Sequence, residues 1–167
     1  MGHEDHMKQV RKHLPCAVLT ISDSRTEGTD GSGRIIIDAL EGAGHSVSAY
    51  RIVPDSVGEI DAEMRNILES DEIKVVIVNG GTGVTRRDVT PESVTPFLEK
   101  RLDGFGELFR MLSYQEIGAA AIMSRAFGGV ASGKVVLCLP GSRGAVGMAM
   151  EKIIIPQIGH MVLEVEK

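Results

Sequence analysis

Apolar residues in this chain come as short runs separated by stretches of helical spacing. Cys16 to Ile21, Val47 to Val53, Val75 to Val78 and Lys134 to Leu139 read as strands. The third is β-branched throughout, as suits a strand covered on both faces. Between them, Ile35, Ile36, Ala39 and Leu40 form one helical face that stops at Gly42 or Gly44, and Ile60, Met64, Ile67 and Leu68 form another. Strand and helix alternate as in an α/β protein with a parallel sheet. Thr90, Pro91 and Glu92 read as N-cap, first helical residue and first-turn carboxylate, and the helix continues through Val94, Leu98 and Leu102 with a break or kink at Pro96. After Gly104, the residues from Phe105 to Ile117 present a broad apolar surface that serves packing and a subunit contact. A small-residue helix from Gly118 to Arg125 leads to Phe127–Ala131, which the Ser132-Gly133 turn joins to the next strand as a hairpin. With that next strand parallel to the others, Phe127–Ala131 becomes an antiparallel edge strand. From Gly144 onward the pattern is helical, with Pro156 as an interruption.

A length of 167 residues fits one domain with a sizeable core. The formal net charge of −5 argues against a general binder of nucleic acid or anionic membrane. No apolar run approaches the ~20 residues of a membrane span and no signal peptide is visible, so a cytoplasmic location is expected. The two cysteines, Cys16 and Cys138, lie in apolar runs without metal or redox spacing and read as buried thiols. Residues 1–14, with His3, His6 and His13, read as a flexible tail or a helix resting on a neighbouring subunit, with metal binding as the sharper alternative. Residues 15–167 form the expected domain.

The chemistry concentrates in NGGTGVTRRDVTPE. Gly80, Gly81 and Gly83 follow a buried strand and bring main-chain N–H groups close to a ligand, so a phosphate cradle is one reading. A β-to-α turn with solvated charges is the other. The loop lacks the Lys-Ser/Thr of a Walker motif and the spacing of a dinucleotide fingerprint. Arg86 and Arg87 can grip phosphate oxygens, and Asp88 can hold a cation. Asp55 also ends a strand, either capping the next helix or lying on the same sheet edge as Asp88. Two acids beside such a cradle fit Mg²⁺. Ser22, Asp23, Asp30 and Ser32, in the loop after the first strand, are binding candidates by the same placement, with Asp30 or Ser32 alternatively a helix cap. Pro140, Gly141 and Ser142 emerge on that edge too.

TISDSRTEGTDGSG, VPDS, NGGTGVTRRDVTPE, GFGELFRMLSYQEIG and LPGS, in this order and spacing, resemble the molybdopterin-binding MoaB/MogA family of molybdenum cofactor biosynthesis. The likeness runs from Pro15 to about Gly159. It implies a three-layer α/β/α fold around a mixed, mostly parallel five-stranded sheet, assembled as trimers or hexamers. It also implies Mg²⁺-dependent transfer of AMP from ATP to molybdopterin. By the resemblance Asp55 and Asp88 are the essential, metal-holding carboxylates. Gly80, Gly81, Thr82 and Gly83 are then the phosphate loop, while Ser22, Asp23, Asp30, Gly141 and Ser142 contact substrate. Gly104 to Val130 resembles the MoaB branch, whereas Arg86-Arg87-Asp88 resembles the adenylylating branch. The alternative is a non-catalytic pterin- or nucleotide-binding protein of the same pathway. An NAD oxidoreductase is disfavoured, because the first strand leads into SDSRTEG instead of a glycine fingerprint.

Overall fold

The computed structural model describes residues 13–167. Its strands are β1 (Pro15–Ile21), β2 (Ser46–Val53), β3 (Val75–Asn79), β4 (Lys100–Arg101), β5 (Phe127–Ala131) and β6 (Lys134–Leu139). They form one sheet of order β2-β1-β3-β6-β5-β4, in which β5 pairs antiparallel with both β6 and β4 and the remaining pairs are parallel. The sheet therefore has six strands and not the expected five. The sixth, β4, is two residues long, too short to carry any alternation, and it pairs with Val130 and Gly129. It also displaces β5 from the edge position that the hairpin predicted, and its two exposed cations blunt the new edge.

Alternation along each central strand divides the core into two layers. Cys16, Val18, Val75, Ile77, Val135 and Leu137 face α1 (Gly31–Gly42), α4 (Asp103–Ile117) and the C-terminal helices α5 (Arg143–Ala149) and α6 (Ile155–Val165). Ala17, Leu19, Val76, Val78, Val136 and Cys138 face α2 (Val57–Glu69) and Val94 of the short α3 (Thr90–Val94). Each fully buried Leu, Ile or Val contributes about 1.5–3 kcal/mol, so neither layer is dispensable. The two cysteines sit in opposite layers and are buried, which pushes the Cys16 thiol up to about 12 and raises Cys138 as well. Both are inert core thiols.

Several local expectations change. The N-cap position of α3 falls on Val89, not Thr90, because the Thr90 hydroxyl turns back to donate to Gly80 O (2.8 Å). The cap position of α2 falls on Ser56, not Asp55. Pro96 lies in a 3₁₀ turn, Thr95–Phe97, and Leu102 precedes α4 without belonging to a helix. The segment expected as a small-residue helix is a 3₁₀ turn, Gly118–Met123, entered through Gly118 at φ 63°. Pro156 stands in the first turn of α6, and a π turn at Met150–Ile154 joins it to α5, absorbing the missing N–H. Residues 1–12 of the expected tail lie outside the described residues. His13 and Leu14 belong to the packed body, with His13 Nδ1 2.8 Å from Gly44 O and Leu14 fully buried.

A buried polar cluster ties the carboxyl ends of β1, β2 and β3 to the start of α1. Asp30 caps α1 by accepting from Gly33 N (2.9 Å) and also accepts from Thr20 Oγ1 (2.6 Å) and Tyr50 OH (2.7 Å). Asn79 Nδ2 donates to Thr20 Oγ1 (2.8 Å), and Ser32 Oγ donates to Asn79 Oδ1 (2.8 Å). Burial opposes the Asp30 charge, but the hydrogen bonds from Thr20, Gly33 N, Tyr50 and Ser32 outweigh it and hold the carboxyl below its ordinary range. Such a charge contributes stability that is complete above the ordinary carboxylate pKa and fades as pH falls through the lowered native value. Asp30→Asn is expected to cost about 2–4 kcal/mol at neutral pH. Urea unfolding of the variant and the natural protein should show that gap narrowing below about pH 4.

Candidate functional site

The loops that leave β1, β2, β3 and β6 meet at one edge of the sheet, because parallel strands deliver their carboxyl ends together. The β3 loop is central. Gly80 and Gly81 take φ 102° and 66°, which a side chain would strain. Gly80 N donates to Leu139 O (2.9 Å), Thr90 N donates to Gly81 O (3.0 Å), and a Cβ on Gly81 would run into the Thr90 hydroxyl. Arg125 clamps the loop from the other side: its amide donates to Thr82 O (2.9 Å), Nε to Gly83 O (2.7 Å) and Nη2 to Asp88 O (2.9 Å), while Glu92 holds its far end. The loop carbonyls are thus occupied. The amides of Gly81 and Thr82 donate to nothing else in the described chain, which leaves them for an acceptor from outside.

The two predicted acids flank this loop. Asp55 Oδ1 lies 3.3 Å from where a Gly81 Cβ would sit, and Asp88 Oδ2 lies 2.8 Å from the same position on Gly83. Asp88 is anchored: its Oδ2 accepts from Thr85 N (2.8 Å) and Thr85 Oγ1 (2.6 Å). Desolvation pushes its pKa up, but those bonds, the Gly83 amide and Arg125 bring it below the ordinary value. Asp55 goes the other way, raised by desolvation and by the neighbouring charge of Asp23, with Asp88 adding to the effect. Asp23 bridges two loops, accepting from Asp55 N at Oδ1 (2.9 Å) and from Arg87 at Oδ2. Of the two predicted phosphate-gripping arginines, Arg87 is held by Asp23 and Arg86 is exposed without an ion pair among the described residues.

The remaining predicted residues take structural positions around this centre. Ser22 Oγ accepts from Arg25 N (3.2 Å) and closes the first loop. Asp30 and Ser32 are buried beneath the site in the polar cluster, with the carboxylate engaged by the chain's own donors. A Cβ on Gly141 would lie 3.3 Å from Gly80 Cα, so the β6 loop packs directly on the glycine loop, and Ser142 caps α5 through Ala145 N (3.4 Å). Arg25 joins these parts, reaching Asp30 (3.4 Å), Ser32 and Gly141 O (2.8 Å). Sequence reasoning passed over Arg25, Tyr50, Asn79, Thr85 and Arg125. Thr20 and Asn79 did carry a signal, as polar residues closing otherwise apolar strands; Arg125 carried none.

Three carboxylates near one loop, one with its proton held more tightly than usual by desolvation and then by the others, form a place where a cation relieves repulsion. The set suits Mg²⁺ held by one or two carboxylates and completed by phosphate oxygens and water, not an all-protein cage. No group of three or more His, Cys, Asp or Glu side chains among the described residues is arranged to enclose a metal.

A mostly parallel α/β sheet carrying a clamped glycine loop between two aspartates defines the class: an α/β protein with a candidate ligand loop at its carboxyl edge. The particular family follows from comparison. The profile described as "Probable molybdopterin binding domain" matches residues 17–160. Molybdenum cofactor biosynthesis protein B of Bacillus cereus is 46% identical over 168 residues, covering 100% of this chain and 99% of the relative. The protein of that name from Bacillus subtilis is 48% identical over 171 residues, with the same coverage of 100% and 99%. Among solved structures, the tungsten cofactor synthesizing protein MoaB from Pyrococcus furiosus superposes with a TM-score of 0.85 at 37% identity, over 94% of this chain and 99% of that one. The chain belongs to the molybdopterin-binding family of molybdenum cofactor biosynthesis proteins.

Because Asp55 has a raised native pKa, its charge opposes folding. That penalty is absent below the ordinary carboxylate pKa, where both states are protonated, and complete above the raised native value. Asp55→Asn is therefore expected to raise the melting temperature of the metal-free protein at pH 7 by up to about 3 °C, corresponding to less than ~1 kcal/mol for a partly exposed group. Calorimetry at about pH 3 should show no gain.

Proposed function

We propose that this protein is a molybdopterin adenylyltransferase, using Mg²⁺ and ATP to attach AMP to molybdopterin. The observation that carries the reading is the pair Asp55 and Asp88 on either side of a loop whose Gly81 and Thr82 amides have no other acceptor among the described residues. In the reaction, a terminal phosphate oxygen of molybdopterin bonds to the α-phosphorus of ATP, the α–β phosphoanhydride bond breaks, and pyrophosphate leaves with the displaced electron pair. No side-chain nucleophile is needed. The chain's contribution is to position the reactants and oppose their crowded charge. The loop amides donate to phosphate oxygens, Arg86 meets anionic charge from solvent, and Ser22, Asp23, Gly141 and Ser142 line the approach. Asp30 supports this set from beneath. Asp55 and Asp88 would hold Mg²⁺, which when bound neutralises phosphate charge and polarises the α-phosphorus.

The names of the relatives support the pathway, and the intact Arg86-Arg87-Asp88 supports catalysis over binding alone. No helix among the described residues is long and apolar enough to cross a membrane, and we place the reaction in the cytoplasm. Exposed Leu108, Met111, Tyr114 and Ile117 on α4 form an apolar stripe that supports a homo-oligomer, a trimer or hexamer, which light scattering measures directly.

Purified protein incubated with molybdopterin, ATP and Mg²⁺ is expected to yield adenylylated molybdopterin by mass spectrometry. Asp88→Asn and Asp55→Asn should each lower the rate at least about 100-fold while the circular dichroism spectrum is retained. A folded protein that binds both substrates in calorimetry but makes no product would instead be a pterin- or nucleotide-binding protein of the pathway.

A further inference from the structure

Arg125 stands between the 3₁₀ turn Gly118–Met123 and β5, and it spends its donors on one target. Its amide takes Thr82 O (2.9 Å), Nε takes Gly83 O (2.7 Å) and Nη2 takes Asp88 O (2.9 Å). Glu92 accepts from both arms of the fork, at Oε1 from Nη1 and at Oε2 from Nη2 (3.3 Å). The place of the arginine is fixed in turn by α4. Arg110 Nη1 donates to Ala126 O (2.8 Å), and a Cβ on Gly106 would lie 2.5 Å from that same oxygen, so no larger residue fits between the helix and the entry to β5. Two features then concern the loop more than the fold. The Arg125 side chain is 33% exposed and that of Glu92 54%, and an ion pair so open to water contributes little to stability. Arg125 also takes Asp88 by its carbonyl, while Thr85 holds the Asp88 carboxylate. An arginine paired with that carboxylate would compete with a cation for it; one bound to the carbonyl fixes the residue without filling the carboxylate.

We infer that Arg125 is a positioning residue of the proposed adenylyl transfer: its planar fork, held by Glu92, fixes the carbonyls of Gly83 and Asp88 so that the Gly81 and Thr82 amides stay aimed at the transferred phosphate. The inference rests on that reaction and gives a role in it to a side chain that touches no reacting atom and acts through the loop. Charge alone does not suffice for this. Two carbonyls and a carboxylate are met in one plane by a guanidinium, whereas lysine offers a point charge without the fork. Glu92 matches the guanidinium charge, so the clamp orients the loop without adding a cation that would compete with the metal. A shift of the loop by about 1 Å is enough to cost about 100-fold in rate.

Adenylylation with molybdopterin, ATP and Mg²⁺ would be followed for the natural protein, Arg125→Lys, Arg125→Ala and Glu92→Gln, with circular dichroism on each sample. Arg125→Ala is expected to lower kcat about 100-fold and to change KM for ATP less than about threefold, because the donors remain and only their aim is lost. Arg125→Lys keeps the charge without the fork and should stay below about a tenth of the natural rate. Glu92→Gln replaces an exposed side chain, so the fold should tolerate it while kcat falls about three- to tenfold. Guanidinium chloride, well below unfolding concentrations, should restore Arg125→Ala at least about tenfold with a saturating dependence, and sodium chloride at equal ionic strength should not. A residue that only holds the fold together shows no such recovery. Should Arg125→Ala fail to fold, Arg125→Lys and Glu92→Gln decide. Either of those two within about twofold of the natural rate, or a folded Arg125→Ala that guanidinium leaves unchanged, would overturn the inference and leave adenylyl transfer standing. A natural protein that makes no product would overturn both readings.

Discussion

The site depends on one buried carboxylate. Asp30 sits where β1, β2 and α1 meet and accepts from a donor of each: Thr20, Tyr50 and the Gly33 amide. Through Thr20 and Ser32 the cluster extends to Asn79, the last residue of β3, and so to the foot of the glycine loop. Burying a charge is costly unless its oxygens are satisfied, and here they are. The consequence is geometric. Three strand ends and a helix start are fixed relative to one another before any ligand arrives, so the loops above them diverge from a rigid base.

From that base the chain spends its remaining hydrogen bonds on holding the glycine loop by its carbonyls. Thr90 takes Gly80 O and Gly81 O, and Arg125 takes Thr82 O, Gly83 O and Asp88 O. A backbone held by its acceptors presents its donors, which is the orientation an anion needs. Preorganisation of this kind lets the donors act without reorganising as charge develops. The same division separates the acids. Asp88 is pinned by Thr85 and has a lowered pKa, whereas Asp55 is desolvated and repelled by Asp23 and Asp88 and has a raised one.

How much of this was legible follows from the range of each interaction. The strands and the first two helices were readable, since burial on both faces writes a β-branched run at Val75–Val78 and one-sided burial writes the spacing of Ile60, Met64, Ile67 and Leu68. The glycine loop and its acids were readable from their chemistry. β4 was not, because two residues have no period and Lys100 and Arg101 pair only through backbone groups. Thr90 was misread as a cap because a local rule fits any threonine before proline; the contact that outcompetes it, to Gly80, is made ten residues away. Arg125 was invisible for the same reason at greater range, since its partners at Gly83 and Asp88 lie 42 and 37 residues earlier.

Charge balance around the loop explains why acids belong beside an anion cradle. Asp23, Asp55 and Asp88 lie within interaction range of one another, yet only Asp23 has an arginine of its own, Arg87, while Arg125 gives its hydrogen bonds mainly to carbonyls and Glu92. Left alone, these carboxylates oppose the approach of the polyphosphate that the proposed reaction requires. A divalent cation reverses that sign, because carboxylates and phosphate oxygens then share one positive centre and each increases the other's affinity for it. Metal and nucleotide are thereby expected to bind as a unit, with Asp55 gaining the counter-charge that folding denied it. In the proposed reaction, relief of that repulsion would favour a phosphate arriving with its cation.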